Sequence, residues 1–177
     1  IIYGYKITKS EIFKIYYEIY SKINRQIDSD TVRHIFIFNL LKKYDDFKKI
    51  CIIGDGKANF LIGALSLYPN AQIYSINLSE VLIDDYLVLK KHKIIDDDKI
   101  HVVEDIKDNL YHSSKIIFVP SYLKNFLIGK KIDLFVNINS FQEMKNSEVT
   151  KYFDIIKNNK SLLYTSNREY KKLYDGE

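Results

Sequence analysis

Lys49-Ile50-Cys51-Ile52-Ile53-Gly54-Asp55-Gly56, running on through Lys57-Ala58-Asn59-Phe60-Leu61, is the stretch whose reading decides the fold. The unbroken apolar run before the glycines has the two-sided apolarity of a strand buried in a parallel sheet, and the glycines end it. Beyond them Phe60, Leu61, Ala64, Leu65 and Tyr68 recur at helical spacing. Pro69-Asn70 stops that helix, and residues 72–76 form a second β-rich run. Strand, glycine turn, helix and strand make a β-α-β unit.

The alternation continues outward in both directions. Ser79 is expected to cap a helix carrying Val81, Leu82, Tyr86 and Leu89. Three further apolar runs, 116–119, 132–138 and 162–165, read as strands, and a helix over 148–157 with Val149, Tyr152, Phe153 and Ile156 inward separates the last two. Residues 96–114 fit this order least well, since His101-Val102-Val103 suits a small extra strand or a helix turn. Upstream, Ile12, Ile15, Tyr16, Ile19 and Ile23 predict an amphipathic helix within residues 9–25. Ser29 or Asp30 is expected to cap a second, with Val32, Ile35, Phe36, Asn39 and Leu40 on one face. The expected architecture is therefore α/β: a Rossmann-like, doubly wound, mostly parallel sheet over 47–177, with two N-terminal helices over 1–46 packed on it as one structural domain.

Composition agrees with a single packed domain. The 177 residues are 46% hydrophobic and 14% aromatic, enough for a sizeable core. The lone Cys51 lies inside the first strand and forms no intrachain disulfide, which suits a reducing cytoplasm. No apolar run approaches the roughly 18 residues of a membrane helix. The net charge of +4 comes from scattered lysines rather than a basic face, so no nucleic-acid partner is expected.

In such a sheet, ligands collect beyond the carboxyl ends of the strands where strand order reverses. Gly54 and Gly56 let the backbone turn and approach a ligand closely, although a plain strand-to-helix turn uses glycine in the same way. Asn77 closes the second strand about 20 residues later, where nucleotide-binding folds place a ribose-hydroxyl partner. An amide accepts a hydrogen bond there without a carboxylate's charge, and a strand-end turn would use the same residue. The third strand exits through Val119-Pro120-Ser121-Tyr122 and the fourth through Asn137-Ile138-Asn139-Ser140. Asn137 falls within an apolar strand, where its amide needs partners from a ligand or a neighbouring loop; the expectation leans to the ligand.

The segments Ile53-Gly54-Asp55-Gly56 with Asn59-Phe60, Pro69-Asn70-Ala71, Asn77-Leu78, Asp133-Leu134-Phe135-Val136-Asn137, Ser140-Phe141-Gln142-Glu143-Met144 and Ser166-Asn167-Arg168 occur in an order that resembles the sugar O-methyltransferase family. The Ser-Phe-Gln-Glu-Met block carries most of the likeness, which runs from about Lys49 to the end. The resemblance implies a Rossmann-like, S-adenosylmethionine-dependent methyltransferase of polysaccharide biosynthesis acting on a sugar hydroxyl, of a small molecule or a glycan. It implies cofactor contacts from Gly54, Asp55, Gly56, Asn59, Asn77, Leu78, Pro120, Ser121, Asn137 and Ser140, with Glu143 as base for in-line transfer. Family members continue beyond Glu177, so closing strands are expected outside this chain.

Three positions depart from the common methyltransferase pattern: Ile52 where an acid is usual, Ala58 for a third glycine, and Asn77 for an acid. They keep open a non-catalytic binding module of the same fold. An NAD-dependent oxidoreductase is disfavoured because its G-x-G-x-x-G loop needs glycine at Asn59. Among the histidines, His34 and His92 read as structural, while His101 and His112 remain base candidates. Asp96-Asp97-Asp98 reads as a solvated loop, and no metal is expected.

Overall fold

The computed structural model describes residues 7–44, 47–109 and 113–168. Two helices lead, α1 (Glu11–Lys22) and α2 (Ser29–Leu41), followed by β1 (Lys49–Ile53), α3 (Asn59–Leu67), β2 (Gln72–Asn77) and α4 (Ser79–Lys91). Then come β3 (Ile100–Val102), β4 (Ile116–Pro120), a 3-10 segment (Ser121–Leu127), β5 (Leu134–Ile138), α5 (Asn146–Asn159) and β6 (Leu162–Ser166). The six strands form one all-parallel sheet in the order β3-β4-β2-β1-β5-β6. This is the expected Rossmann-like α/β architecture. From β1 the chain first builds outward through β2 and later returns to its other side with β5, so strand order reverses at the carboxyl end of β1, beside Gly54.

The alternation of strand side chains feeds two cores. Ile50, Ile52, Ile73, Phe118 and Val136 face α1, α2, α3 and α4, whereas Cys51, Ile53, Tyr74, Ile117 and Phe135 face the 3-10 segment and α5. The N-terminal helices are seated closely. A Cβ on Gly63 of α3 would fall on the Tyr16 hydroxyl and within 2.7 Å of Phe38 Cε2, so the bare backbone there lets all three helices meet. Phe38 and Phe60 stack at 4.2 Å across that junction.

Several local expectations are corrected. Asp28, rather than Ser29 or Asp30, caps α2, accepting from the Thr31 amide at 2.8 Å. The buried face of α2 is Thr31, His34, Ile35, Ile37, Phe38 and Leu41; Phe36 is 53% exposed. Ser79 begins α4 but its side chain caps nothing; Asn77 accepts from the Leu78 amide just before it. Phe153 points outward, 47% exposed, and Ile155 takes the inward position on α5. His101 belongs to the short edge strand β3, parallel to β4, and pairs with Asp108 at 3.1 Å. His112 lies outside the described residues.

Candidate functional site

Gly54 is the pivot. Its φ of +73° is a left-handed conformation that side chains rarely adopt, and a Cβ would collide with the Ser140 side chain, so the position takes only glycine at low cost. Its amide donates to Ile76 O at 2.9 Å, tying the turn to β2. Gly56 is different: a Cβ there would meet nothing within 4 Å. The space above Gly56 is open to a ligand.

Asp55 is 7% exposed, and its carboxylate accepts from the Phe60 amide at 3.1 Å and the Leu61 amide at 2.7 Å. It thereby caps the N-terminus of α3 from five residues upstream. Burial lifts its pKa to about 6 against the lowering effect of those amides. Between Gly56 and Asn59, Lys57 and Ala58 both adopt positive φ, 65° and 54°. Ala58 stands where a third glycine is usual, and each such residue costs about 1 kcal/mol. A clamp from the N-terminal helices holds this strained turn. Arg25 Nη1 donates to Lys57 O at 2.9 Å and to Asn59 Oδ1 at 2.8 Å, and Tyr20 donates to the same Oδ1 at 3.0 Å.

Asn59 is thus occupied in bracing the loop. Asn77 is likewise committed, donating to Asp55 O at 3.0 Å and accepting from the Leu78 amide at 3.0 Å. For Asn137 the expectation of a ligand partner is corrected. Fully buried, it donates to Ile53 O at 3.2 Å and to Ser140 Oγ, and accepts from the Phe141 amide at 3.2 Å and Asn167 Nδ2 at 2.9 Å. All four hydrogen-bonding positions of its amide are met by the protein. Ser140 Oγ also donates to Ile53 O at 3.0 Å. This knot fastens the β5 exit against the end of β1.

Two clefts open on either side of Gly54. One, of about 320 Å³, runs between the first turns of α2 and the β5 exit, and is lined by Asp28, Asp30, Arg33, His34, Gly54 to Lys57, Asn59, Asn139, Ser140 and Glu143, among others. The other, of about 370 Å³, is lined by Gly54, Ile76, Asn77, Leu78, Ser121, Tyr122, Lys124, Met144, Lys145, Glu148 and Tyr152. Of the residues expected to form the site, Gly54, Asp55, Gly56, Asn59, Ser140 and Glu143 line the first, and Gly54, Asn77, Leu78 and Ser121 the second. Pro120 and Asn137 line neither, Pro120 being buried opposite Asn77 at the end of β4. Glu143 ends a short 3-10 turn, Phe141–Glu143, and is exposed at the rim.

Sequence reasoning missed His34, Arg33 and Arg25. His34 is 6% exposed, on the α2 face shared with Thr31, Ile35 and Phe38, and its ring meets Phe60 edge-on at 5.4 Å. Burial lowers its pKa to about 4, keeping it neutral. The corrected helical face of α2 is the signal that would have found it. Among the described residues, no cluster of three His, Cys, Asp or Glu could hold a metal ion, and no helix is long and apolar enough to cross a membrane.

No protein-family model matches the sequence, and no curated protein matches it. Solved structures do share its fold. A methyltransferase of Podospora anserina bound to SAH matches at a TM-score of 0.54 and 14% identity, over 92% of this chain and 67% of its own. An inferred O-methyltransferase of Nostoc punctiforme matches at a TM-score of 0.50 and 15% identity, over 73% of this chain. The match spans 32% of the Nostoc protein, about a third of its length. At these identities the likeness establishes the fold.

Proposed function

We propose that this chain is an S-adenosylmethionine-dependent methyltransferase whose acceptor is a sugar hydroxyl. One observation carries the cofactor assignment: the helix N-terminus behind the glycine turn is already capped by the buried Asp55 carboxylate. In dinucleotide sites that N-terminus receives a pyrophosphate. A carboxylate there opposes a second anion and occupies the amides that would bind it. The pocket therefore suits a nucleoside cofactor without phosphates. The fold shared with methyltransferases, and two clefts meeting at Gly54, support the same reading.

The residues fit such a group. Ile76, Leu78, Tyr122, Met144 and Tyr152 offer apolar walls for an adenine, and Gly54 joins that cleft to the polar one, where the open space above Gly56 lies. Asn77 keeps its amide on the protein, so ribose recognition rests on the remaining acceptor capacity of its Oδ1. When bound, the cofactor supplies an electrophilic sulfonium methyl. The polar cleft would hold the acceptor hydroxyl within reach of that methyl group. Glu143, at the rim of that cleft, takes the hydroxyl proton. Most of the rate gain comes from holding the partners at reactive distance.

Calorimetric titration with S-adenosylhomocysteine and, separately, NAD tests the reading. Binding of the first alone, weakened when Leu78 and Tyr122 of the apolar cleft are both truncated to serine while the fold is retained, is the expected result. Binding of NAD alone overturns it, and binding of neither favours a non-catalytic module of the same fold.

A further inference from the structure

His34 presents a combination that packing does not account for. Its ring is buried, yet Nδ1 is a buried atom with no hydrogen-bond partner, and neither ring nitrogen is bonded among the described residues. Unpaired buried polar atoms are rare and costly, so the unpaired Nδ1 constrains which tautomer the ring adopts. Placing the proton on Nδ1 would bury an orphan N–H, so the neutral ring carries it on Nε2. That second nitrogen is not among the buried orphan atoms, and His34 lines the cleft, so Nε2 is the ring nitrogen left for a ligand there. A donor of fixed tautomer, held edge-on against Phe60, thus faces the polar cleft.

The charges around it select what it can meet. Asp28, Asp30, Asp55 and Glu143 line this cleft against only Arg33 and Lys57. Asp28 and Asp55 are spent on capping α2 and α3, and Arg33 is paired with Asp30 at 3.0 Å. A phosphate or diphosphate entering here would meet more carboxylates than cations, at distances where each unpaired repulsion in a partly desolvated cleft is costly. A neutral hydroxyl meets a neutral donor.

From this we infer that the cleft between α2 and the β5 exit is the acceptor site, that it takes an uncharged polyhydroxyl acceptor rather than a sugar phosphate or nucleotide sugar, and that His34 positions the acceptor by donating from Nε2 to a hydroxyl oxygen. The inference rests on the methyl-transfer reading for the identity of the second substrate. His34 is a positioning residue for that substrate and leaves the cofactor untouched.

The test uses the whole chain saturated with S-adenosylhomocysteine, with histidine ring nitrogens labelled for NMR. The neutral probes are methyl α-D-glucopyranoside and methyl α-L-rhamnopyranoside, and the charged probes are glucose 1-phosphate and UDP-glucose. The expected result is a shift of the His34 ring signals with a neutral probe and none with either charged probe. His34→Phe, which keeps the ring packed on Phe60, is expected to weaken the neutral probe at least tenfold while S-adenosylhomocysteine affinity stays within threefold. A shift only with the charged probes, no shift with any probe, or a tenfold loss of S-adenosylhomocysteine affinity in His34→Phe overturns the assignment, the last by handing His34 to the cofactor. If the unaltered chain binds no S-adenosylhomocysteine, methyl transfer fails, and the same NMR titration without it still decides whether this cleft selects neutral hydroxyl ligands.

Discussion

On the α2 side of Gly54 the cleft carries four carboxylates, two cations and a histidine beside Ile52, Ile53, Phe60, Val136 and Ile138; on the α5 side Ile76, Leu78, Tyr122, Met144 and Tyr152 predominate beside Lys145 and the Lys124–Glu148 pair. The two spaces are nearly equal, about 320 and 370 Å³, so what separates them is chemistry and not room. An apolar wall holds a flat base by area and excludes little else, whereas a polar wall discriminates by which of its groups are left unpaired. The difference teaches a division of labour. On the proposed reading one cleft would hold a constant cofactor and the other choose an acceptor, and they share a single residue, Gly54, at the point where strand order reverses.

The most damaging way to break the comparison is to alter that shared residue. Gly54→Ala adds a Cβ that collides with Ser140 at a positive φ, and together these cost about 3 kcal/mol or more. Both clefts should be lost together. Gly56→Ala, with open space around its Cβ, should leave stability within about 0.5 kcal/mol. Urea denaturation of the two variants side by side checks this; equal midpoints would mean that Gly54 is not the pivot.

A second effect lies under the loop between the clefts. Asp85 of α4 is wholly buried, neither carboxylate oxygen has a partner in bonding geometry among the described residues, and burial, helped by the nearby Asp55, raises its pKa to about 8. The Ala58 amide and Arg25 pull the other way, and Asp84 adds to the rise. Because the folded value exceeds the ordinary carboxylate value of 3.8, the native state holds a proton that the unfolded state releases. Asp85 thus supports the fold fully below about pH 4, and that support falls as pH climbs to about 8. Asp85→Asn should remove that slope, by up to roughly 6 kcal/mol across the window. Parallel stability curves for the two proteins between pH 4 and 8 would refute it.

Much of the fold was legible in the sequence because buried parallel strands advertise themselves: Ile50 to Ile53 and Ile116 to Val119 are uninterrupted, and both are strands. The helix faces of α2 and α5 were harder, since Phe36 and Phe153 are as apolar as their inward neighbours and only packing decides which one the core accepts. In the site, Gly54 and Gly56 were visible as a pair, but their opposite roles depend on Ser140, which is distant in sequence. Asn137 looked like a ligand-seeking amide because its partners, Ile53, Ser140, Phe141 and Asn167, come from three separate segments that no local pattern joins. Asp55 was expected as a cofactor contact, and its role as a cap became clear only once α3 was seen to begin at Asn59.

The smallest expected effect sharpens the comparison most. Leu78 and Tyr122 line the apolar cleft and are 60% and 70% exposed. Truncating both to serine removes little buried area from the folded protein, so stability should change by less than about 0.5 kcal/mol. If they close over a bound adenine, the same change should weaken S-adenosylhomocysteine about tenfold, equivalent to about 1.4 kcal/mol, through lost apolar contact. Binding of a neutral methyl glycoside in the other cleft should be unaltered, because none of the residues lining that cleft is Leu78 or Tyr122. Calorimetry of both ligands on the double variant reads the two effects in one preparation. Equal losses for the two ligands would mean that the clefts are one site, and the division of labour across Gly54 would then have to be abandoned.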